Sequence, residues 1–266
     1  MKPVATVIAH YRNPLALDKT LEFLAKQTVA TEVFVRDNSE DNILFTKAVN
    51  EGLRKFCFNG QHDFVLVLNH DAYLAPDCLA RMLEIMHENT SCGIVTPVSI
   101  NMAGKVTWAG GLQAYPWGAH HCPPLESLTA PEFITPWANG ACMLLRVSMV
   151  HEIGLLDENM KFICSDSDYS FTARARGWQI LVATQALMVH QLNASSGESN
   201  DPFITENILK DQLYFADKWL TGSLYKRLAL EGEDLTPEQI ENLRANTQKA
   251  LSHLLSADTP ASTDTH

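Results

Sequence analysis

The stretch FVLVLNHDAYLAP, residues 64–76, decides the fold. Five consecutive apolar residues, Phe64-Val65-Leu66-Val67-Leu68, stop at Asn69-His70-Asp71, and the chain turns apolar again at Tyr73-Leu74. An apolar run without alternation reads as a strand covered on both faces, as in parallel sheets flanked by helices. Such sheets bind ligands beyond the carboxyl ends of their strands. An amide, an imidazole and a carboxylate at that end therefore face a ligand crevice.

The segments on either side repeat this pattern. Residues 4–9 form a compact apolar run, followed by Arg12-Asn13-Pro14, with Pro14 suited to a first helical turn. Leu15, Leu17, Leu21, Phe23 and Leu24 then recur at helical spacing up to Gln27. Residues 32–36 read as a second strand closed by Asp37-Asn38-Ser39, and residues 43–58 as a helix. Beyond the opening stretch, residues 76–87 are helical, with Leu79, Met82, Leu83 and Met86 on one face, and residues 93–98 are a further strand. This alternation predicts an α/β fold: a Rossmann-like, mostly parallel sheet with helices on both faces.

The second half is less regular. Strands are expected at residues 105–111, 139–145, 180–182 and 187–189, and helices at 148–153, 166–176 and 202–220. Residues 115–136 carry Pro116, Pro123, Pro124, Pro131 and Pro136 and read as a binding loop or lid. Thr236-Pro237-Glu238-Gln239 has the spacing of a helix capping box, continued by Ile240, Leu243, Leu251 and Leu254. The small polar residues 257–266 read as a disordered tail.

Bulk properties narrow the function. Lys+Arg number 20 and Asp+Glu 31, a net charge of −11, which repels a nucleic-acid backbone. A phosphorylated small molecule would need local help from a metal or a few basic side chains. The cysteines Cys57, Cys78, Cys92, Cys122, Cys142 and Cys164 have no C-x-x-C spacing and fit buried free thiols of a reducing compartment. No stretch approaches the ~18 apolar residues of a membrane span. The N-terminal run is short and is followed by His10-Tyr11-Arg12, so it reads as a strand rather than a signal peptide.

Several residues carry candidate chemistry. Asp71, at a strand end, could hold a divalent cation bridging a diphosphate; alone it reads more readily as a turn or cap. Asp166-Ser167-Asp168 places two carboxylates in a first helical turn, where one caps and the other is free to act as a base. His190 ends an apolar strand and suits a second metal ligand, although a lone His there is usually structural. His120-His121-Cys122 lacks the partner pair of a zinc site. Trp108, Trp117 and Trp137 could stack on sugar rings or simply pack. The Gly-rich phosphate loops of nucleotide hydrolases and dinucleotide enzymes are missing, which makes a metal-bridged diphosphate more attractive.

In this order, the motifs resemble the family 2 glycosyltransferases of the GT-A fold, particularly a rhamnosyltransferase-like branch. The resemblance rests on residues 7–13 with Tyr11 and Asn13, residues 33–39, Leu68-Asn69-His70-Asp71, Gly140-Ala141-Cys142-Met143-Leu144-Leu145-Arg146, Ile153-Gly154-Leu155-Leu156-Asp157-Glu158, Asp166-Ser167-Asp168 and His190. It spans residues 4–197. Arg12 is inserted between Tyr11 and Asn13, Asn69 replaces the first Asp of the family's D-x-D, and Ser165 replaces the Glu before its base. The resemblance implies a GT-A catalytic domain over residues 1–200, with a nucleotide-sugar half (1–100) and an acceptor half (101–200), then a helical extension over 201–256. It also implies an inverting hexosyltransferase that moves a sugar from a nucleotide-diphosphate donor to a glycan or lipid-linked glycan hydroxyl.

On this reading Asp37, Tyr11, Asn69 and Asp71 bind the donor nucleotide, and Asp71 and His190 hold Mg2+ or Mn2+. Asp166 is the base, and Trp137 and Asp168 meet the acceptor. The missing Glu at 165 should lower the pKa of Asp166 by removing a like charge. Lys218-Trp219-Leu220 and residues 224–228 offer a basic and aromatic surface for peripheral membrane contact, against the plainer reading of a packed helix pair. The expected location is cytoplasmic, at the inner face of a membrane, in cell-envelope polysaccharide synthesis. The alternative is a non-catalytic nucleotide-sugar or carbohydrate-binding module of the same fold. Sugar-nucleotide synthesis is disfavoured because residues 10–14 contain no Gly.

Overall fold

The structure, a computed structural model, describes residues 2–112, 118–190, 201–220 and 236–257. The strands are β1 (Val4–His10), β2 (Thr31–Asp37), β3 (Phe64–Asn69), β4 (Ala72–Leu74), β5 (Cys92–Ile100), β6 (Val106–Trp108), β7 (Glu132–Ile134), β8 (Cys142–Arg146) and β9 (Gln179–His190). The helices are α1 (Pro14–Ala25), α2 (Leu44–Cys57), α3 (Cys78–Glu88), α4 (Val147–Ile153), α5 (Ser165–Ala175), α6 (Pro202–Trp219) and α7 (Pro237–Ala257).

One sheet runs β2-β1-β3-β8-β5-β9-β4, with β6 beside β5 and β7 beside β9. The opening stretch explains its layering. In β3, Leu66 and Leu68 pack into one core with Leu24, Leu79, Met82 and Met86, and Val65 and Val67 into another with Val49, Leu53, Phe56 and Met149. Both faces of the strand are covered, so alternation is absent from the sequence.

The sheet is more mixed than the sequence pattern implies. β1–β2, β1–β3 and β5–β9 are parallel pairs, but β8 inserts antiparallel between β3 and β5. Even so, β1, β2, β3, β5 and β9 run the same way, so His10, Asp37, Asn69 and His190 end at one edge. The expected strands at 180–182 and 187–189 are parts of the single strand β9, which pairs with β5 through a register shift at Pro97/Val98. β4 was not anticipated, because three residues show no periodicity. It lies antiparallel to β9 with Ala72 opposite His190, which explains why the chain turns apolar after Asp71.

The C-terminal helices pack on a third core of Trp108, Phe171, Phe215 and Trp219. The capping box at α7 forms: Thr236 Oγ1 accepts from Gln239 N (3.2 Å), and Gln239 Oε1 accepts from Thr236 N (2.7 Å). Trp219 and Leu220 are 5% and 3% exposed and face the core, while Lys218 is half-buried and pairs with Asp157 and Asp168. Residues 224–228 and 258–266 lie outside the described residues. Among the described residues no helix is long and apolar enough to cross a membrane. All six cysteines are free; Cys122 is exposed and the other five are buried, as expected for most of them.

Gly52 brings α2 against β1: a Cβ there would stand 2.3 Å from Val7 Cγ1. Gly52→Ala would gain up to ~1 kcal/mol in helix propensity and lose about 1–3 kcal/mol to overpacking. Net destabilisation is expected as a lower denaturation midpoint in urea; an unchanged or higher midpoint would contradict this close packing.

Candidate active site

The β1 and β2 ends build a hydrogen-bonded ring around Asp37. His10 lies beside Asp37 in the strand register. Asp37 Oδ1 accepts from Ser39 N (2.9 Å) and Ser39 Oγ (2.5 Å), and lies 3.1 Å from His10 Nδ1. His10 Nε2 accepts from Asn13 N (3.2 Å), so the neutral ring carries its proton on Nδ1 and donates it to Asp37. Ser39 Oγ in turn accepts from Arg12 N (3.1 Å). The inserted Arg12 takes φ 46°, and its guanidinium lies 5.0 Å from the centre of the half-buried Tyr11 ring. The Ser39 hydroxyl, with its backbone N–H and His10, holds the Asp37 carboxyl below the usual carboxylate range. The sequence reading did not single out His10 or Ser39.

Asp71 and His190, more than a hundred residues apart, meet because β4 pairs with the end of β9. Asp71 Oδ1 lies 3.4 Å from His190 Nε2, with the side chains 2% and 11% exposed. Asp71 Oδ1 is buried without a hydrogen-bond partner. Such a group is costly to leave bare. A carboxylate oxygen and an imidazole nitrogen at this separation suit two neighbouring ligands of a divalent ion. Among the described residues no group of three or more His, Cys, Asp or Glu side chains could hold a metal alone. A cation here would need further ligands from a diphosphate and water. His70 is buried between Asn69 and Asp71, with Nδ1 3.2 Å from Ala9 O and Nε2 unpartnered. Burial lowers its pKa, so the ring is neutral.

Asp166 stands in the first turn of α5. Oδ2 accepts from Gly140 N (2.8 Å) and Oδ1 from Ser167 N (2.8 Å). A Cβ on Gly140 would lie 3.2 Å from both Asp166 Oδ2 and Asp166 Cβ, so glycine lets the backbone approach the carboxylate. Protein surrounds Asp166 on most sides while part of its surface meets solvent. Burial raises its pKa above the usual carboxylate value; the Gly140 and Ser167 N–H groups and nearby His120 pull the other way. Loss of the Glu at 165 does not produce a lowered pKa, because burial outweighs an absent neighbour.

The loop at residues 139–141 joins the two groups: Gly140 N–H holds Asp166, and Ala141 O accepts from Asn69 N (2.9 Å). His120 lies within electrostatic reach of both Asp166 and His190. Its exposed ring packs 5.8 Å from the Trp137 ring. The sequence reading weighed His120 only as a zinc ligand.

The two residues expected to meet the acceptor are both buried. Trp137 is 4% exposed; its Nε1 donates to Leu112 O (3.2 Å), and Cβ atoms at Gly111 or Gly118 would collide with its ring. It is a packing platform. Asp168 is 1% exposed, and its Oδ1 accepts from Trp219 Nε1 (2.6 Å) and pairs with Lys218 Nζ (2.8 Å). These contacts tie it to α6. Asp211 of α6 supports the same region, accepting from the backbone N–H groups of Lys161, Phe162 and Ile163 at 2.7–3.0 Å. α6 thereby brackets the segment that presents Asp166.

A family model described as "Glycosyltransferase like family 2" matches residues 44–206, more than half of the chain. The chain belongs to that family. The fold is similar to a crystal structure of GalNAc-T7 with UDP, GalNAc and Mn2+, at TM-score 0.60 and 12% identity over 97% of this chain and 58% of that one. This chain thus spans less than two thirds of GalNAc-T7. It is also similar to S. aureus TarS 1–349, at TM-score 0.53 and 14% identity over 96% of this chain and 71% of that one, and to the same protein in complex with UDP, at TM-score 0.52. At these identities the likeness is one of fold, and the fold is GT-A. No curated protein gives a significant match. The family match begins after β2, so Tyr11 and Asp37 lie outside it.

Asp168→Ala leaves the Trp219 N–H buried and removes one of the two carboxylates on Lys218, which keeps Asp157 at 2.9 Å. A loss of about 2–3 kcal/mol in urea denaturation is expected. Unchanged stability with lost turnover would instead mark Asp168 as an acceptor ligand.

Proposed function

We propose that the chain is an inverting glycosyltransferase that moves a sugar from a nucleotide-diphosphate donor to an acceptor hydroxyl. The observation that carries this reading is the convergence of Asp71, His190 and Asp166 at one sheet edge, tied through residues 139–141. Asp37 accepts a hydrogen bond from the base beside Tyr11, and Asn69 contacts ribose or phosphate. Asp71 and His190 would hold a divalent cation, Mg2+ or Mn2+. When bound, the cation neutralises charge growing on the leaving diphosphate.

Asp166 accepts the proton of the acceptor hydroxyl as the oxygen attacks the anomeric carbon from the face opposite the departing diphosphate. A single base and a single displacement invert the stereochemistry. The hydrogen bonds from Gly140 and Ser167 fix the carboxylate, and burial raises its basicity towards that of a working base. The rhamnosyltransferase-like branch, a hexosyl donor, a glycan or lipid-linked acceptor and a role in envelope polysaccharide synthesis rest on the ordered sequence motifs. So does the division into donor half, acceptor half and helical extension. Asp168 and Trp137 support the site from behind.

Asp166→Asn should lower turnover by about 10²–10⁴-fold while leaving nucleotide binding intact. Equal turnover would refute the base. In the wild type the base must be ionised, and its pKa is raised. Activity should therefore rise with pH through a limb above the ordinary carboxylate range and plateau beyond it; a limb below that range would contradict burial as the controlling cause. Asp71→Ala should weaken nucleoside-diphosphate binding in Mn2+ and leave the metal-free affinity nearly unchanged, as read by titration calorimetry. A variant that responds fully to Mn2+ would remove Asp71 from the metal site.

A further inference from the structure

We propose that Ser170 is a positioning residue for the base: its buried hydroxyl sets the segment that aims the Gly140 N–H at the Asp166 carboxylate. The proposal rests on the reading of Asp166 as the base and adds the residue that keeps it in register.

The peptide unit joining Trp137 and Ala138 is held at both ends by hydroxyls. Trp137 O accepts from Thr135 Oγ1 (3.1 Å), and Ala138 N donates to Ser170 Oγ (3.0 Å). A peptide unit is planar, so fixing its C=O and its N–H fixes its orientation. Each hydroxyl also has its other role filled. Thr135 Oγ1 accepts from Gly111 N (2.9 Å), and Ser170 Oγ donates to Asp166 O (2.8 Å). Ser170 is 0% exposed and Thr135 1%.

A serine bonded to the carbonyl four residues back is a common local habit of helices and carries no function alone. The second bond, from Ala138 N, is the informative one. It ties the turn of α5 that carries Asp166 to a segment whose Gly140, two residues on, donates to Asp166 Oδ2 (2.8 Å). Without the hydroxyl, the Ala138 N–H is buried with no acceptor, and the segment shifts to find one. The Gly140 N–H then moves off the carboxylate. A donor favours the ionised form, so its loss raises the pKa of the base further. The other groups acting on Asp166 are untouched: the Ser167 N–H and the titratable neighbours His120 and Cys164.

Carbon-13 NMR of aspartate-labelled full chain, with Asp166→Asn assigning the resonance, follows the Asp166 carboxyl through a pH titration without substrate. Ser170→Ala should move the midpoint upward by about one pH unit. Thr135→Val releases the other end of the same peptide and leaves α5 intact; it should move the midpoint the same way by less. Gly52→Ala, which disturbs the packing of α2 on β1, should leave it unmoved. An unmoved or lowered midpoint in folded Ser170→Ala overturns the proposal, as does an equal shift in Gly52→Ala; the base reading survives either result. If Ser170→Ala does not fold, Thr135→Val decides, and an unmoved midpoint there overturns the proposal. Turnover by Asp166→Asn as fast as by the wild type overturns the base reading itself, and this proposal with it.

Discussion

The site depends on the short antiparallel pairing of β4 with the end of β9. Three residues, Ala72–Leu74, lie against Met188–His190, and Ala72 stands opposite His190. That register brings the preceding Asp71 to 3.4 Å from the imidazole. Without it, the buried Asp71 oxygen would have neither its neighbour nor a reason to be buried. Parallel strands ending at one edge supply Asp37 and Asn69; the antiparallel strands β4 and β8 start at that same edge and supply Asp71 and the loop at 139–141. The mixed sheet therefore doubles the number of chain segments that can deliver side chains to one crevice.

Support for the proposed base comes from two directions. In front, Gly140 approaches Asp166 closely enough for its N–H to hold the carboxylate. Behind, α6 accepts three backbone N–H groups at Asp211 and anchors Asp168 through Trp219 and Lys218. Most of this bracket, including Asp211, Lys218 and Trp219, lies beyond the span matched by the family. A buried, aligned carboxylate needs such rigid surroundings, because a small misplacement is costly to transfer.

Much of the fold was legible because its signals are local. An unbroken apolar run means two covered faces, and β3 packs on both sides. Pro14 and the Thr236–Gln239 box mark helix starts through backbone chemistry. The direction of β8 and the existence of β4 were not legible, since pairing partners are chosen across the chain and three residues carry no period. Within the site, Asp37, Asp71, Asp166 and His190 stood out as polar residues where apolar strands or helix starts change character. The contact of Asp168 with Trp219 was not legible, because a carboxylate in a first turn looks the same in sequence whether it faces a cleft or a tryptophan N–H. His10 gave no signal because it acts through a strand neighbour, and His120 pointed only to zinc because it arrives through a bridge between Gly111 and His120.

The most direct measurement is anomalous diffraction at the manganese edge from crystals of the chain grown with Mn2+ and a nucleoside diphosphate. The account predicts an ion bonded to Asp71 Oδ1 and His190 Nε2, with the diphosphate between it and Asp166. An ion bound elsewhere, or a diphosphate on the far side of the sheet from Asp166, would contradict it.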